Sequence, residues 1–254
     1  MCVACAACSR PTSAYAIIDS DYERLAVIDP QVFNLAFAGD VMLGRYVNKL
    51  LRRAPPGAVW GDTLPIFAAA DARICNLECV LSDGGKPWTH TPKEFHFRSD
   101  AKNAAVLQAA HIDCVSIANN HVLDYDDDAL REMLAVLDRA RIAHAGAGTG
   151  REAWRPALVV RNDIRVGFLA FTDNEPIWAA QADRPGVCYL PVDVDDARAK
   201  ALLARVAALR EHVDCLIVSA HWGSNWGYTP PSAHRQLAHA LIDRGADVIF
   251  GHSC

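Results

Sequence analysis

Residues 112–121 read Ile-Asp-Cys-Val-Ser-Ile-Ala-Asn-Asn-His, an apolar run that breaks into two amides and an imidazole. A run with so little alternation suits a strand buried on both faces, as in a parallel sheet covered by helices. Shortly after it, Asp126-Asp127-Asp128 opens a segment in which Leu130, Met133, Leu134 and Leu137 fall at i, i+3, i+4 and i+7. That spacing makes one apolar helix face. The three aspartates are expected to cap the helix and favour its positive end. Strand, polar turn and amphipathic helix together form the repeating unit of an α/β fold.

The same unit recurs on both sides. Strand candidates are Phe33–Ala38, Arg73–Asn76, Ile112–Ala118, Ala157–Val160, Val166–Phe171, Cys215–Ala220 and Asp247–Phe250. Further helices are expected to start at Ser99-Asp100, at Asp195-Asp196 and at Ser232, the last ending at Arg244-Gly245, a cation and then a helix-stopping glycine. Asn162-Asp163 between two apolar runs reads as a hairpin, so the sheet is expected to be mixed. Stretches 52–65, 81–98 and 173–191 read as long loops rich in Pro, Gly and Trp, a length that is often functional in a compact domain. No repeat, low-complexity tract or linker divides the chain. The expectation is one α/β domain over residues 33–254, preceded by a segment, residues 1–32, that matches nothing.

Composition narrows the function. Among 254 residues, 25 Lys+Arg stand against 30 Asp+Glu, a net charge of −5. With no dense basic block, the chain is expected to bind no nucleic acid. A 52% hydrophobic and 22% charged composition excludes disorder. No apolar run reaches the roughly 18 residues that a membrane helix needs, so no membrane span is expected. Cys75, Cys114 and Cys215 sit in apolar runs and read as buried free thiols, which points to a reducing, cytoplasmic location. Cys2, Cys5 and Cys8 lack a second pair at zinc-site distance and are expected to lie in a frayed end. The chain stops at Ile249-Phe250-Gly251-His252-Ser253-Cys254, directly after a strand, and the domain is expected to continue beyond it.

The polar residues share one address. Asp40, Glu78, the run Asn119-Asn120-His121, His221 and His252 each follow a strand candidate. In an open α/β sheet the carboxyl ends of strands meet at the ligand crevice. Carboxylates, amide oxygens and imidazoles without thiolates suit Mn²⁺, Fe or Zn²⁺. The count allows one ion, or two ions about 3.5–4 Å apart that would serve phosphoryl displacement.

Six stretches carry a resemblance: Gly39-Asp40-Val41-Met42-Leu43-Gly44-Arg45, Asn76-Leu77-Glu78, Ala118-Asn119-Asn120-His121-Val122-Leu123-Asp124, Gly146-Ala147-Gly148, His221-Trp222-Gly223 and Gly245–His252. In this order they resemble the CapA family of poly-γ-glutamate capsule biosynthesis proteins, within the calcineurin-like metallophosphoesterases. The resemblance implies a four-layer αββα sandwich with mixed sheets. By motif, Asp40 resembles the first-strand metal ligand, Glu78 the bridging carboxylate and Asn120 the amide-oxygen ligand. His221 and His252 would be imidazole ligands on the same metal. His121 would be the general acid, a task for a group that titrates near neutral pH. Asp124 would orient its ring. Arg45 reads either as a clamp for an anionic substrate group or as a solvent-exposed cation.

Two departures stand out. Position 42 is Met where the superfamily has the histidine of Asp-x-His, and the last motif stops at Cys254, whose thiolate is a weak substitute for the histidine that normally follows. One metal site is thus furnished by Glu78, Asn120, His221 and His252, and the other by Asp40 and the shared Glu78. His90, His96, His111, His144, His212, His234 and His239 fit no motif and read as surface or core. Trp88, Trp178, Trp222 and Trp226 either wall the crevice or pack in the core. The functional expectation is a metal-dependent phosphoester hydrolase acting on an anionic small molecule or polymer. The alternatives are a non-catalytic accessory subunit with polyglutamate-synthesis partners, or a metal-stabilised domain without catalysis.

Overall fold

The computed structural model describes residues 3–8, 32–224 and 226–253, so Cys2 and Cys254 lie outside the described residues. In chain order the elements begin with β1 (Val3–Cys8), β2 (Phe33–Val41), α1 (Arg45–Leu50), α2 (Leu64–Ala69), β3 (Ala72–Leu77), β4 (Val80–Leu81) and β5 (Arg98–Ser99). There follow α3 (Ala104–Ala109), β6 (Cys114–Ser116), α4 (Asp126–Ala140), β7 (Ala143–Ala145), β8 (Ala147–Thr149), β9 (Ala157–Arg161) and β10 (Ile164–Thr172). The series closes with β11 (Pro185–Val187), α5 (Ala197–Arg210), β12 (Cys215–His221), α6 (Ser232–Asp243) and β13 (Val248–His252).

Two main sheets result. One has the order β1-β2-β3-β6-β7, parallel except for β1, and the other β13-β12-β10-β9, parallel except for β9. The expected hairpin at Asn162-Asp163 joins β9 to β10, with both residues at positive φ as a tight primed turn requires. The chain is an α/β sandwich. Alternate residues of each strand feed different layers, which is why the runs look uniformly apolar. Leu35, Phe37, Ile74, Phe168 and Ile217 fill the space between the sheets. Ala36, Cys75 and Leu77 face the side covered by α3 and α4. Leu169, Phe171, Leu216 and Val218 face α5 and α6. Cys75, Cys114 and Cys215 are fully buried, as expected of small apolar side chains.

Several expectations change. The single sheet that the apolar runs alone suggested is two, as the four-layer resemblance implies, and the crevice lies where the ends of both meet. Residues 3–8, expected to fray, pair antiparallel with β2 from Val3↔Ala38 to Cys8↔Phe33. The three aspartates occupy the first turn of α4 without capping it: the N-cap is Tyr125, with no side-chain cap bond. Their acidity at the positive helix end needs no cap. Ser99 pairs in β5 and is not a helix start; Asp100 leads through a 3-10 turn into α3. Loop 52–65 carries two 3-10 turns and the start of α2, loop 173–191 contains β11, and residues 82–97 alone stay irregular. No described helix is long and apolar enough to cross a membrane.

Candidate functional site

Strand register builds the site. On neighbouring parallel strands His221 of β12 stands opposite His252 of β13. Their Nδ1 atoms are 2.9 Å apart, and Ser219 Oγ holds the far side of the second ring at His252 Nε2, 2.7 Å away. In the other sheet the pairing of β2 with β3 shifts between Ala38 and Asp40, a bulge at Gly39 that re-aims the aspartate. Asp40 Oδ1 reaches 3.4 Å from His252 Nδ1 and 3.8 Å from His221 Nδ1. Asn76 Nδ2 steadies Asp40 Oδ1 at 2.8 Å, and the Ser253 N–H donates to Oδ2 at 3.2 Å.

Asp40, His221 and His252 thus offer three donor atoms within 4.8 Å of one another, a group that can hold a metal ion. Asp40 therefore stands with both imidazoles, where the motif resemblance had set it apart from them with the shared Glu78. The charge state fits a cation. Burial lowers the His221 pKa to about 3 and drives that of His252 well down, so both rings are neutral with lone pairs to give. Glu78 is raised to about 8, first by burial and then by the neighbouring Asp40 carboxylate and a hydrogen bond between the two carboxyls. Two crowded carboxylates beside neutral imidazoles form a donor set that a divalent ion would relieve.

Asn120 and His121 enter from the turn after β6. Asn120 Oδ1 lies 3.1 Å from His221 Nε2, and Glu78 Oε1 lies 4.0 Å from the same nitrogen. The turn is tied to β3 because Asn119 Nδ2 donates to Asn76 Oδ1 and to the Leu77 carbonyl. Asn119 is therefore a brace for the turn. His121 Nδ1 meets Asp124 Oδ2 at 2.6 Å, and the His121 ring stacks on Phe97 at 4.0 Å. His121 Nε2 is left facing Glu78 Oε1 at 3.9 Å. Asp124 is fully buried and also accepts the Phe97 N–H at 2.6 Å. Asp40, Glu78, Asn120 and His121 line one open cavity of about 470 Å³.

Arg45 lies at the rim and not in the cavity lining. Its guanidinium sits 5.6 Å over the Phe95 ring, and Phe95 does line the cavity. Met42 is partly buried against the core, its sulfur accepting the Gly44 N–H at 3.0 Å. Trp88 and Trp178 are buried and meet edge to face, Trp222 packs on Phe171, and Trp226 is exposed. None of the four lines the cavity. His234 contacts Asp173 and Trp222 outside it. The sequence reading missed Lys93, Phe95, Phe97 and Glu175, all cavity-lining residues from loops 81–98 and 173–191. The alternation Lys93-x-Phe95-x-Phe97 was the available signal, an extended segment inside a loop otherwise rich in Pro and Gly.

The family described as "Bacterial capsule synthesis protein PGA_cap" matches residues 34–254. The chain belongs to that family. Among similar PGA_cap relatives, the PGA biosynthesis protein CapA of Bacillus subtilis (strain 168) is 29% identical over 232 residues, covering 90% of this chain and 59% of that protein. A Mycobacterium tuberculosis protein named "Probable polyglutamine synthesis accessory protein" is 31% identical over 264 residues, covering 89% of this chain and 69% of its own length. A hypothetical protein of Thermus thermophilus, of known structure, aligns with a TM-score of 0.48 at 19% identity, over 86% of this chain and 66% of that one. The chain therefore spans a little over half of the Bacillus relative.

Proposed function

We propose that this PGA_cap chain carries a divalent-metal phosphoester hydrolase centre, with Asp40, Glu78, Asn120, His221 and His252 as metal ligands. The observation that carries this reading is the juxtaposition of the Asp40–His221–His252 donor group with the His121–Asp124 pair, Asp40 and His121 both lining one cavity. When bound, a divalent cation supplies Lewis-acid polarisation of the phosphoryl group and of the attacking water.

The chain's own residues do the rest. Asp124 accepts the Nδ1–H of His121 and so fixes the ring orientation. The proton on Nε2 then faces the cavity, where it transfers to the leaving oxygen as the phosphoester bond breaks. Phe97 under the ring keeps that face dry. Arg45, at the Phe95 rim, attracts an anionic group of the substrate and draws it toward the cavity. The family description, capsule synthesis, and the name of the Bacillus subtilis relative, PGA biosynthesis, support a role in making a polyglutamate capsule. In this reading the substrate is an anionic small molecule or polymer.

A second reading is a non-catalytic accessory of polyglutamate synthesis; the word accessory in the name of the Mycobacterium tuberculosis relative, which refers to polyglutamine synthesis, favours it. Elemental mass spectrometry of protein supplemented with Mn²⁺, Fe or Zn²⁺, followed by turnover of bis(p-nitrophenyl) phosphate, separates the two. Hydrolysis that tracks metal content supports the hydrolase. A folded, metal-loaded chain with no turnover on a phosphomonoester or phosphodiester panel would leave the accessory role.

A further inference from the structure

Loop 81–98 places an ammonium group against the pair that aims His121. The side chain of Lys93 is 8% exposed, and its Nζ donates to the Asn120 carbonyl at 2.7 Å. The same nitrogen lies 3.3 Å from Glu175 Oε1 and 3.5 Å from Asp124 Oδ1, and 4.9 Å from the centre of the Trp178 ring. Asp124 Oδ1 is buried and, among the described residues, accepts no hydrogen bond, and Lys93 is the cation beside it. A buried charge of that kind persists only where an opposite charge accompanies it.

The contacts tie three segments that are distant in the chain. Lys93 belongs to the irregular strap, Asn120 to the turn that presents His121, and Glu175 to the loop after β10. The strap is also fastened at Asp124 itself, through the Trp88 N–H to its carbonyl and the Phe97 N–H to its carboxylate. Lysine, with three donors on one point charge, can answer all three oxygens at once.

We propose that Lys93 is the positioning residue of the His121–Asp124 pair: its ammonium holds the Asp124 carboxylate in place, and so keeps the imidazole aimed at the cavity. This rests on the reading of His121 as proton donor, and its test includes a readout that does not depend on turnover. In the wild type the His121 Nδ1–H, held by a carboxylate, gives a downfield proton resonance, assigned by its loss in His121→Ala. In Lys93→Met and in Lys93→Gln, which removes the charge but keeps a donor, that resonance broadens or disappears. On the phosphodiester, kcat falls about 10- to 100-fold with KM unchanged, the range typical of orienting partners. Lys93→Arg restores both. A resonance unchanged in the neutral variants, or a loss confined to KM, overturns the proposal, the latter because Lys93 would then be holding substrate. If the wild type shows no turnover while the resonance still depends on the Lys93 charge, hydrolysis fails and the positioning role stands.

Discussion

The crowding of Glu78 against Asp40 makes the metal-free protein sensitive to pH in a way that one substitution isolates. Burial and the neighbouring Asp40 carboxylate raise the Glu78 pKa from its ordinary 4.5 to about 8. A folded-state pKa above the unfolded value means that the native state holds the proton more tightly. The cost of Glu78 is therefore absent below pH 4.5, grows as pH rises, and is complete above pH 8. At about 1.4 kcal/mol per unit, the cost is small at pH 5 and on the order of 4 kcal/mol at pH 8. Glu78→Gln, which keeps the shape and removes the charge, should stabilise the metal-stripped protein increasingly with pH. The rise between pH 5 and 8 has a ceiling of roughly 3–4 kcal/mol, because the glutamine amide still has to be buried.

Urea unfolding of both proteins after chelation, at half-unit steps from pH 5 to 8, measures this. His221 and His252 act in the opposite sense, since their lowered pKa values cost stability as pH falls below 6.5, but they are common to both proteins and cancel in the difference. Added Mn²⁺ should reverse the ranking, because it binds the native state through a carboxylate that the variant lacks. Parallel wild-type and variant curves across the range would refute the argument that carboxylate crowding prepares the site for a cation.

Three further outcomes follow from the geometry. His221→Ala should lower metal content per chain, read by elemental mass spectrometry, and unchanged stoichiometry removes it from the ligand set. His121→Ala should keep the metal and lose phosphodiester turnover by about 10²–10⁴-fold, the usual share of general acid catalysis; retained turnover rules out its role. Gly146, at φ +104 between β7 and β8, leaves no room for a methyl, since an added Cβ would lie 2.5 Å from Ala118 Cβ and 2.9 Å from Ala170 Cβ. Gly146→Ala should therefore cost about 2–4 kcal/mol of unfolding free energy, measured by urea unfolding, by overpacking the space between the sheets and straining the backbone.

Most of the strands that the chain's apolar runs announce are those whose residues are buried whichever way they point; the edge strand β9, with Leu158 and Val160 exposed, is an exception. Leu35 and Ala36, or Ile217 and Val218, face different layers yet both reach dry surroundings, so period and composition agree. Short or small-residue strands gave no such signal. β7, Ala-His-Ala, and β8, Ala-Gly-Thr, are strands because β6 and β11 pair with them. The two-sheet division was equally silent in the spacing and came only with the motif resemblance, because an apolar run reads the same whether helices or a second sheet cover it.

The site divides along the same line. Asp40, Glu78, Asn120, His121, His221 and His252 were legible because each ends a strand, and parallel pairing brings strand ends together without further instruction: His221 meets His252 simply by register. What the register does not fix is orientation, and orientation comes from partners far along the chain. Asp40 is turned by a one-residue bulge at Gly39, His252 is held by Ser219, and Asp124 faces Lys93 across a loop with no regular structure. Lysine in a Pro-rich loop reads as a solvated cation until tertiary contact puts a carboxylate at each side of it. The donors of such a site are thus written locally, while the groups that aim them are written in contacts, which is why the strap over His121 is the part of this site that substitutions should probe first.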